Sequence, residues 1–369
     1  NGYDNGYGTS FAAPQVTGGL ALLYEHYRNL HGTDPPAALM KAIICNTATD
    51  IGNPGPDYTY GFGKLNLRKA KAVLDNAQHF DGQIAEQQTQ NRTISVPPNL
   101  NELKIMLYWP DTSATLMSDI DLVNDLDIRV IAPNNYVYLP LVLNPHPDKV
   151  AELALPHVDR VNNVEQVVIS NPVPGNYTIN ASAYRVPYDP QEFYITYEFV
   201  SPGITITSPT SGESIPGGGS TNYYFEWDYE GADDYDNDGQ CEDFTIEYSA
   251  DDGNTWSVVN DTIDGNVRIF KWNKTELVGI NSPDILVRIS KNNTPYSDTV
   301  EQVCQLYDFV SRANFSITPL CNDEILFEWK KIDGAVSYEL FEYNSGDQFD
   351  INTPTMDTSI VVQYDYDNG

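Results

Sequence analysis

The stretch Gly8-Thr9-Ser10-Phe11-Ala12-Ala13-Pro14 reads as a tight turn that runs into the head of a helix. Gly8 and Thr9 suit the turn, Pro14 suits the opening turn of the helix, and from Phe11 to Tyr24 the chain carries no charge. A helix that is apolar on every side belongs in a core. Ser10 would sit at its head, beside the N–H groups that have no partner within the helix and at the positive end of the helix dipole. An oxyanion forming there would be held by donors worth roughly 3–4 kcal/mol each in a transition state.

Two further blocks follow. Asp34-Pro35-Pro36 leads into a second helix over Ala37 to Asn46, because Asp caps helices and Pro suits their first positions. Tyr60-Gly61-Phe62-Gly63-Lys64-Leu65-Asn66 then leads into a third helix around Lys69-Ala70 and Ala72-Val73.

Taken together, the three blocks resemble the serine block, following helix, closing loop and last helix of the subtilisin-like serine proteases. The resemblance implies that Ser10 is the nucleophile and that Thr9 and Ser10 support the oxyanion. It also implies an acyl-enzyme route to hydrolysis of peptide bonds in protein or peptide substrates outside the cell or at its surface, with no cofactor needed for the chemistry. In that family the acid comes first, the histidine second and the serine last, so the base, the acid and the oxyanion Asn are expected upstream of Asn1. The five histidines, His26, His31, His79, His146 and His157, all follow Ser10. A serine without a base is a poor nucleophile. The chain is therefore expected to be the C-terminal part of a longer protein, nearly inert alone, whose first partner is the missing part of its own catalytic domain.

Composition narrows the remaining classes. With 52 acidic and 20 basic residues the net charge is -32, which argues against nucleic acid, since phosphate binding needs clustered Lys and Arg. The 25 tyrosines and many β-branched residues argue for folded β modules. No apolar run approaches the roughly 18 residues of a membrane span. Cys45, Cys241, Cys304 and Cys321 show no metal spacing; Cys45 reads as a small buried apolar residue, and Cys241 and Cys304 fall in one module where they could pair.

The expected fold is multidomain: a C-terminal remnant of an α/β subtilisin-like domain, helical here (1–78), followed by all-β sandwich modules. Residues 79–201 alternate as strands, among them Leu103 to Trp109, Leu126 to Val130 and Tyr177 to Ala181, and read as a jelly-roll sandwich. The block Leu122-Val123-Asn124-Asp125-Leu126-Asp127 within it resembles the β-barrel domain of a branch of alkaline subtilisin-like proteases. That resemblance implies calcium, for which Asp119, Asp121, Asp125 and Asp127 are the local oxygen donors. The same carboxylates also suit a solvated loop and the polar face of one strand.

Residues 202–312 read as an Ig-like sandwich, and 313–369 as the first strands of a fibronectin type III module. Ser249 to Trp256 resembles an Asp-box turn and is expected to pin a hairpin. Asp234, Asp236 and Asp238, at alternate positions before Gly239, resemble the start of a calcium loop. Thr245 stands where an EF-hand needs Glu, so that loop type is excluded, and an acidic loop tip is the alternative. Two further readings remain: a non-catalytic extracellular adhesion protein that keeps the serine block as scaffold, and a sugar-binding module using Tyr223, Trp256 or Trp272.

Overall fold

A computed structural model of the 369-residue chain describes residues 8–118, 120–217, 223–231, 241–272, 282–300, 304–308, 315–320, 324–331, 338, 341–344, 347–350 and 357–363. The chain divides into two compact units, Asn1–Pro202 and Gly203–Gly369.

The first unit begins with three helices, α1 (Thr9–His31), α2 (Ala37–Asn46) and α3 (Leu67–Asp75). Asp34, expected to cap α2, instead pairs with Arg28, and Pro36 stands at that helix's head with no side-chain cap; two other ends have a local cause. Asn66 caps α3 by accepting from the N–H of Lys69, and Gly32 closes α1 at φ 73°, donating to Arg28 O. Ten strands follow: β1 (His79–Ile84), β2 (Thr89–Val96), β3 (Glu102–Tyr108), β4 (Asp125–Ile131), β5 (Val137–Tyr138), β6 (Leu141–Val142), β7 (Leu155–Pro156), β8 (Val164–Ser170), β9 (Gly175–Arg185) and β10 (Gln191–Val200).

Eight of these strands form two antiparallel sheets, β1-β10-β3-β8 and β2-β9-β4-β5, and β6 pairs with β7 outside them. Apart from the paired β4 and β5, strands of these sheets taken in chain order alternate between them, which is the jelly-roll arrangement. The core between the sheets follows from the period of two: Leu103, Ile105 and Leu107 of β3 meet Val167 and Ile169 of β8, Ile128 and Val130 of β4, and Tyr177 and Ile179 of β9.

Alternation alone would leave the other face of β3 in water. Instead Lys104 and Met106 are buried there, with Gln166 of β8 and Tyr194 and Thr196 of β10, because α2 lies across β3 and β10. Leu39, Met40 and Ile43 of α2 join Val73 and Leu74 of α3 and Tyr194 in a second core. A buried polar seam crosses this layer. Gln166 Nε2 donates to Asn46 Oδ1 at 3.1 Å, Asn46 Nδ2 to Lys104 O at 3.4 Å, and Lys104 Nζ to Ala48 O at 3.3 Å.

Helix α1 departs from its expected burial. Only Gly19 and Leu23 are buried, on the side that meets α3, and Gly19 lies so close that a Cβ there would approach Leu67 Cδ2 to 2.7 Å. Phe11, Leu22 and Leu30 are 55%, 62% and 47% exposed. The helix is uncharged from Phe11 to Tyr24, but α3 covers only one side of it.

The second unit contains β11 (Gly203–Ser208), β12 (Ser214–Gly217), β13 (Tyr223–Glu230), β14 (Phe244–Ser249), β15 (Ser257–Ile263), β16 (Ile269–Trp272), β17 (Ser282–Lys291), β18 (Ser297–Thr299) and β19 (Cys304–Asp308). They form the sheets β11-β13-β16 and β12-β19-β17-β14-β15, with β18 beside β17. Phe225, Trp227, Phe244, Ile246, Trp272, Val287 and Ile289 fill the core. Further along, β20 (Phe315–Pro319) and β21 (Glu324–Trp329) precede the hairpin β22 (Phe341–Asn344) and β23 (Asp347–Asp350), and β24 (Ser359–Gln363) completes the sheet β20-β21-β24. Trp329 and Tyr338 rings lie 5.4 Å apart. The described residues are thus mostly β-sandwich with few helices.

Ile43, fully buried between α2 and the sheet, tests the layering. Ile43→Ala is expected to cost about 2–5 kcal/mol, read as a lower urea midpoint of the unfolding transition followed by Trp109 fluorescence.

Candidate functional site

Ser10 is the second residue of α1. Gly8 precedes the helix at φ 128°, and its carbonyl accepts from Phe11 N at 3.0 Å and Ala12 N at 3.3 Å. No intrahelical bond takes the N–H groups of Thr9 and Ser10, which point out of the positive end of the helix. Pro14 lies one turn deeper than expected, inside α1. It has no N–H to give to the Ser10 carbonyl four residues back. Thr9 and Ser10 are exposed, so the head of the helix is open to a ligand.

No histidine among the described residues accompanies the hydroxyl. His26 lies along the same helix, roughly 24 Å away at 1.5 Å of rise per residue, and its Nε2 is 2.6 Å from Asp75 Oδ1. His31 packs on the Tyr27 ring at 4.2 Å. His79 opens β1, where burial and the nearby His31 lower its pKa. His146 caps a short turn by accepting from Asp148 N, and His157 Nδ1 lies 2.8 Å from Val158 O. Burial raises the pKa of the Cys45 thiol, as suits an inert packing residue.

The acidic block of the sandwich is organised around a protein cation. Arg160 Nη1 reaches Asp125 Oδ1 at 3.2 Å and Asp127 Oδ1 at 2.5 Å, its Nη2 reaches Asp127 Oδ2 at 3.3 Å, and the guanidinium stacks 3.7 Å from the Tyr184 ring centre. Asp159 turns away to accept from Val161 N and Asn162 N. Asn124 ties the block together: its carbonyl accepts from Trp109 Nε1 at 2.7 Å and its Nδ2 donates to Gln191 Oε1 at 2.7 Å. Asp121 is exposed; Asp119, Asp234, Asp236 and Asp238 lie outside the described residues. Among the described residues no group of three or more His, Cys, Asp or Glu side chains is arranged to hold a metal.

Glu165 carries no sequence signal of its special setting, because only the phase of β8 puts it on the core face, opposite Leu107. Its Oε2 accepts from Ile128 N of the other sheet at 2.7 Å, while Oε1 is buried with no hydrogen-bond partner. Burial first, then the neighbouring Asp127, Asp159 and Asp125, raises its pKa to about 9, against the Ile128 hydrogen bond. Burial also raises Asp125 to about 6, opposed by Arg160.

In the second unit the Asp-box sequence is a hydrogen-bonded turn. Asp251 accepts from Ser249 Oγ, Thr255 N and Thr255 Oγ1, and Trp256 Nε1 donates to Gly253 O at 3.1 Å. Trp272 is core, Tyr223 is half-buried, and Trp256 lies beneath Arg288 at 4.0 Å. Cys241 forms no disulfide, and its Sγ accepts from Lys291 Nζ at 3.9 Å.

Residues 1–63 match the sequence model of the subtilase family, Peptidase_S8. That segment carries Ser10 and runs through α2 to the loop before α3. The chain is 44% identical over 69 residues to an extracellular serine protease of Serratia marcescens, covering 19% of this chain and 6% of that protein. It is 43% identical over 63 residues to serotype-specific antigen 1 of Mannheimia haemolytica, covering 17% and 6%. A third relative, the serine protease/ABC transporter B family protein tagA of Dictyostelium discoideum, is 24% identical over 210 residues, 51% of this chain and 12% of that one. The chain thus spans only a small fraction of these relatives. Among solved structures, the FN1–FN3 domains of chicken CNTN1 superpose with TM-score 0.24 at 11% identity, over 76% of this chain and 89% of that one. The adhesin domain of Epf from Streptococcus pyogenes gives 0.22 at 7%, over 63% and 79%. Scores this low carry no weight for fold or function. No helix among the described residues is long and apolar enough to cross a membrane.

Because folded Glu165 keeps its proton up to about pH 9 while a free glutamate loses it near 4.5, the unfolded chain binds fewer protons between those values. Stability is therefore expected to fall as pH rises through that window, with Asp125 contributing between 3.8 and about 6. Glu165→Gln should flatten the decline above pH 6 in urea titrations run from pH 5 to 9; an unchanged slope would contradict the assignment.

Proposed function

We propose that this chain is part of a subtilisin-like serine endopeptidase in which Ser10 is the nucleophile. The carrying observation is the position of Ser10 on the exposed, N–H-rich head of α1, inside the segment that matches the subtilase family. Ser10 Oγ attacks the scissile carbonyl to form an acyl-enzyme, which water then hydrolyses. The Ser10 N–H, with Thr9 beside it, faces the oxyanion. The general base, its orienting acid and a further oxyanion donor come from residues outside these 369, since none of the five histidines serves Ser10.

The substrate class is protein or peptide, and the serine protease names of two relatives support that reading. The name of the Serratia relative supports a location outside the cell. The β modules place the enzyme on its substrate or on a surface. Calcium, if bound in the acidic block, would have to displace or share the carboxylates held by Arg160.

The parent protein carrying this chain is expected to react with a fluorophosphonate probe, and Ser10→Ala to abolish labelling and lower peptide hydrolysis by roughly 10^6, the order found when subtilisin loses its nucleophile. Labelling that persists in Ser10→Ala would move the nucleophile elsewhere. A folded parent that never labels would instead make the serine block the scaffold of a non-catalytic binding protein.

A further inference from the structure

Between β3 and β4 the chain crosses from one sheet to the other through a loop whose two ends are tied to each other. Trp109 Nε1 donates to Asn124 O at 2.7 Å, and the Asp111 carboxylate accepts from Val123 N at 2.7 Å and Asn124 N at 2.8 Å. Beyond this neck the loop is not packed down. Residues 112–117 line an open cleft of about 550 Å³ together with Val161 and Asn163. Leu116 and Met117, at the tip, are 98% and 101% exposed.

An exposed side chain does not by itself make a cleavable bond, because a protease also needs the backbone around it free to be drawn out straight. Tyr136, Tyr184 and Tyr188 are well exposed in the same unit, but their backbones are engaged. The Tyr136 carbonyl accepts from Ala132 N, and Tyr184 lies within β9. Tyr188 N donates to Asn124 Oδ1 at 3.2 Å, and its carbonyl accepts from Asn124 Nδ2 at 2.9 Å. At the loop tip, by contrast, the N–H groups of residues 113–117 make no hydrogen bond among the described residues. A turn is closed there by Ser118 N donating to Thr115 O at 3.1 Å, with Ser118 Oγ donating to Ile120 O. Met117 stands within it at φ 62°, a left-handed conformation that a side chain with a Cβ disfavours. Straightening the tip breaks that turn and releases Met117 from its unfavourable backbone.

We propose that the tip, residues 112–118, is a processing site for an endopeptidase whose pocket takes a long aliphatic side chain, and that the cut chain stays folded as two joined pieces. Leu116 or Met117 fills the pocket. Water adds across the peptide bond that follows it, leaving a carboxylate on that residue and an amine on Met117 or Ser118. The preceding residues, Thr112-Ser113-Ala114-Thr115, are small and uncharged, so they fit a narrow cleft without bringing a charge into it. The pieces stay joined because the hydrogen bonds of the neck bracket the cut. Beneath the neck, Leu103, Ile105 and Leu107 of β3 share one core with Leu126, Ile128 and Val130 of β4. The proposal treats the chain as a substrate and does not depend on Ser10 being a nucleophile.

The test is limited digestion of the 369-residue chain with chymotrypsin, whose pocket is a hydrophobic slot, the fragments being mapped by mass spectrometry and N-terminal sequencing. Within residues 8–202 the first new N-terminus is expected at Met117 or Ser118, ahead of any cut after Tyr136, Tyr184 or Tyr188. The fragments on either side of that cut are expected to co-elute in size-exclusion chromatography. The double substitution Leu116→Ser, Met117→Ser, at exposed positions where a change alters stability little, should slow the cut at least tenfold with the unfolding temperature kept. A first cut elsewhere in residues 8–202, or an unchanged rate in the double variant, would overturn the site. Separation of the two fragments in native buffer would overturn the joined form.

Discussion

The packing of α2 on the outer face of the jelly-roll holds the first unit together. A β-sandwich of this kind can leave its outer faces in water, and the alternation of β3 would allow it. Here Met106, Thr196 and Tyr194 are buried on the face that α2 crosses, and polar groups there are bonded across the layer. Asn46, Gln166 and Lys104 are each too costly to bury alone. Their mutual hydrogen bonds are specific to one placement of the helix, so the apolar contacts supply the attraction and the polar seam supplies the register. The serine helix inherits its position from this layer through α3 and the close approach of Gly19 to Leu67.

That inheritance explains the unequal surroundings of α1. One side meets α3 and is buried, and the other exposes Phe11, Leu22 and Leu30. The chemistry expected of Ser10 needs a base held within hydrogen-bond reach, and the helix geometry alone keeps His26 and His31 away from it. The described residues therefore provide an exposed serine and N–H donors at a helix head. In the sandwich, acidic groups are handled differently: the half-buried Arg160 pairs with the buried Asp125 and Asp127, whereas Glu165, opposite Leu107 and bonded to Ile128 N, keeps its proton.

Much of this was legible residue by residue. The uncharged run after Ser10 marked α1, Asn66 marked the head of α3, and the alternation in Leu103 to Trp109 and Tyr177 to Ala181 marked strands that the structure contains as β3 and β9. The Asp-box sequence correctly indicated a pinned turn. What escaped notice were groups whose meaning lies in a distant partner. Lys104 read as the wet side of a strand until α2 covered it. Glu165 is a charged residue that the phase of β8 puts on the core face, opposite Leu107. Arg160 had no visible relation to the Leu122 to Asp127 block, from which β5, β6 and β7 separate it along the chain.

Sequence by itself determined the local elements and the placing of Ser10 at a helix head, because helix and strand periods, caps and turns are set by neighbours within a few residues. It also carried the family likeness of residues 1–63. Tertiary structure alone decided which faces are covered and which cation pairs with which carboxylate. Those outcomes depend on burial and on charges brought together from far along the chain, and the energy of a buried charge is set by what surrounds it in space.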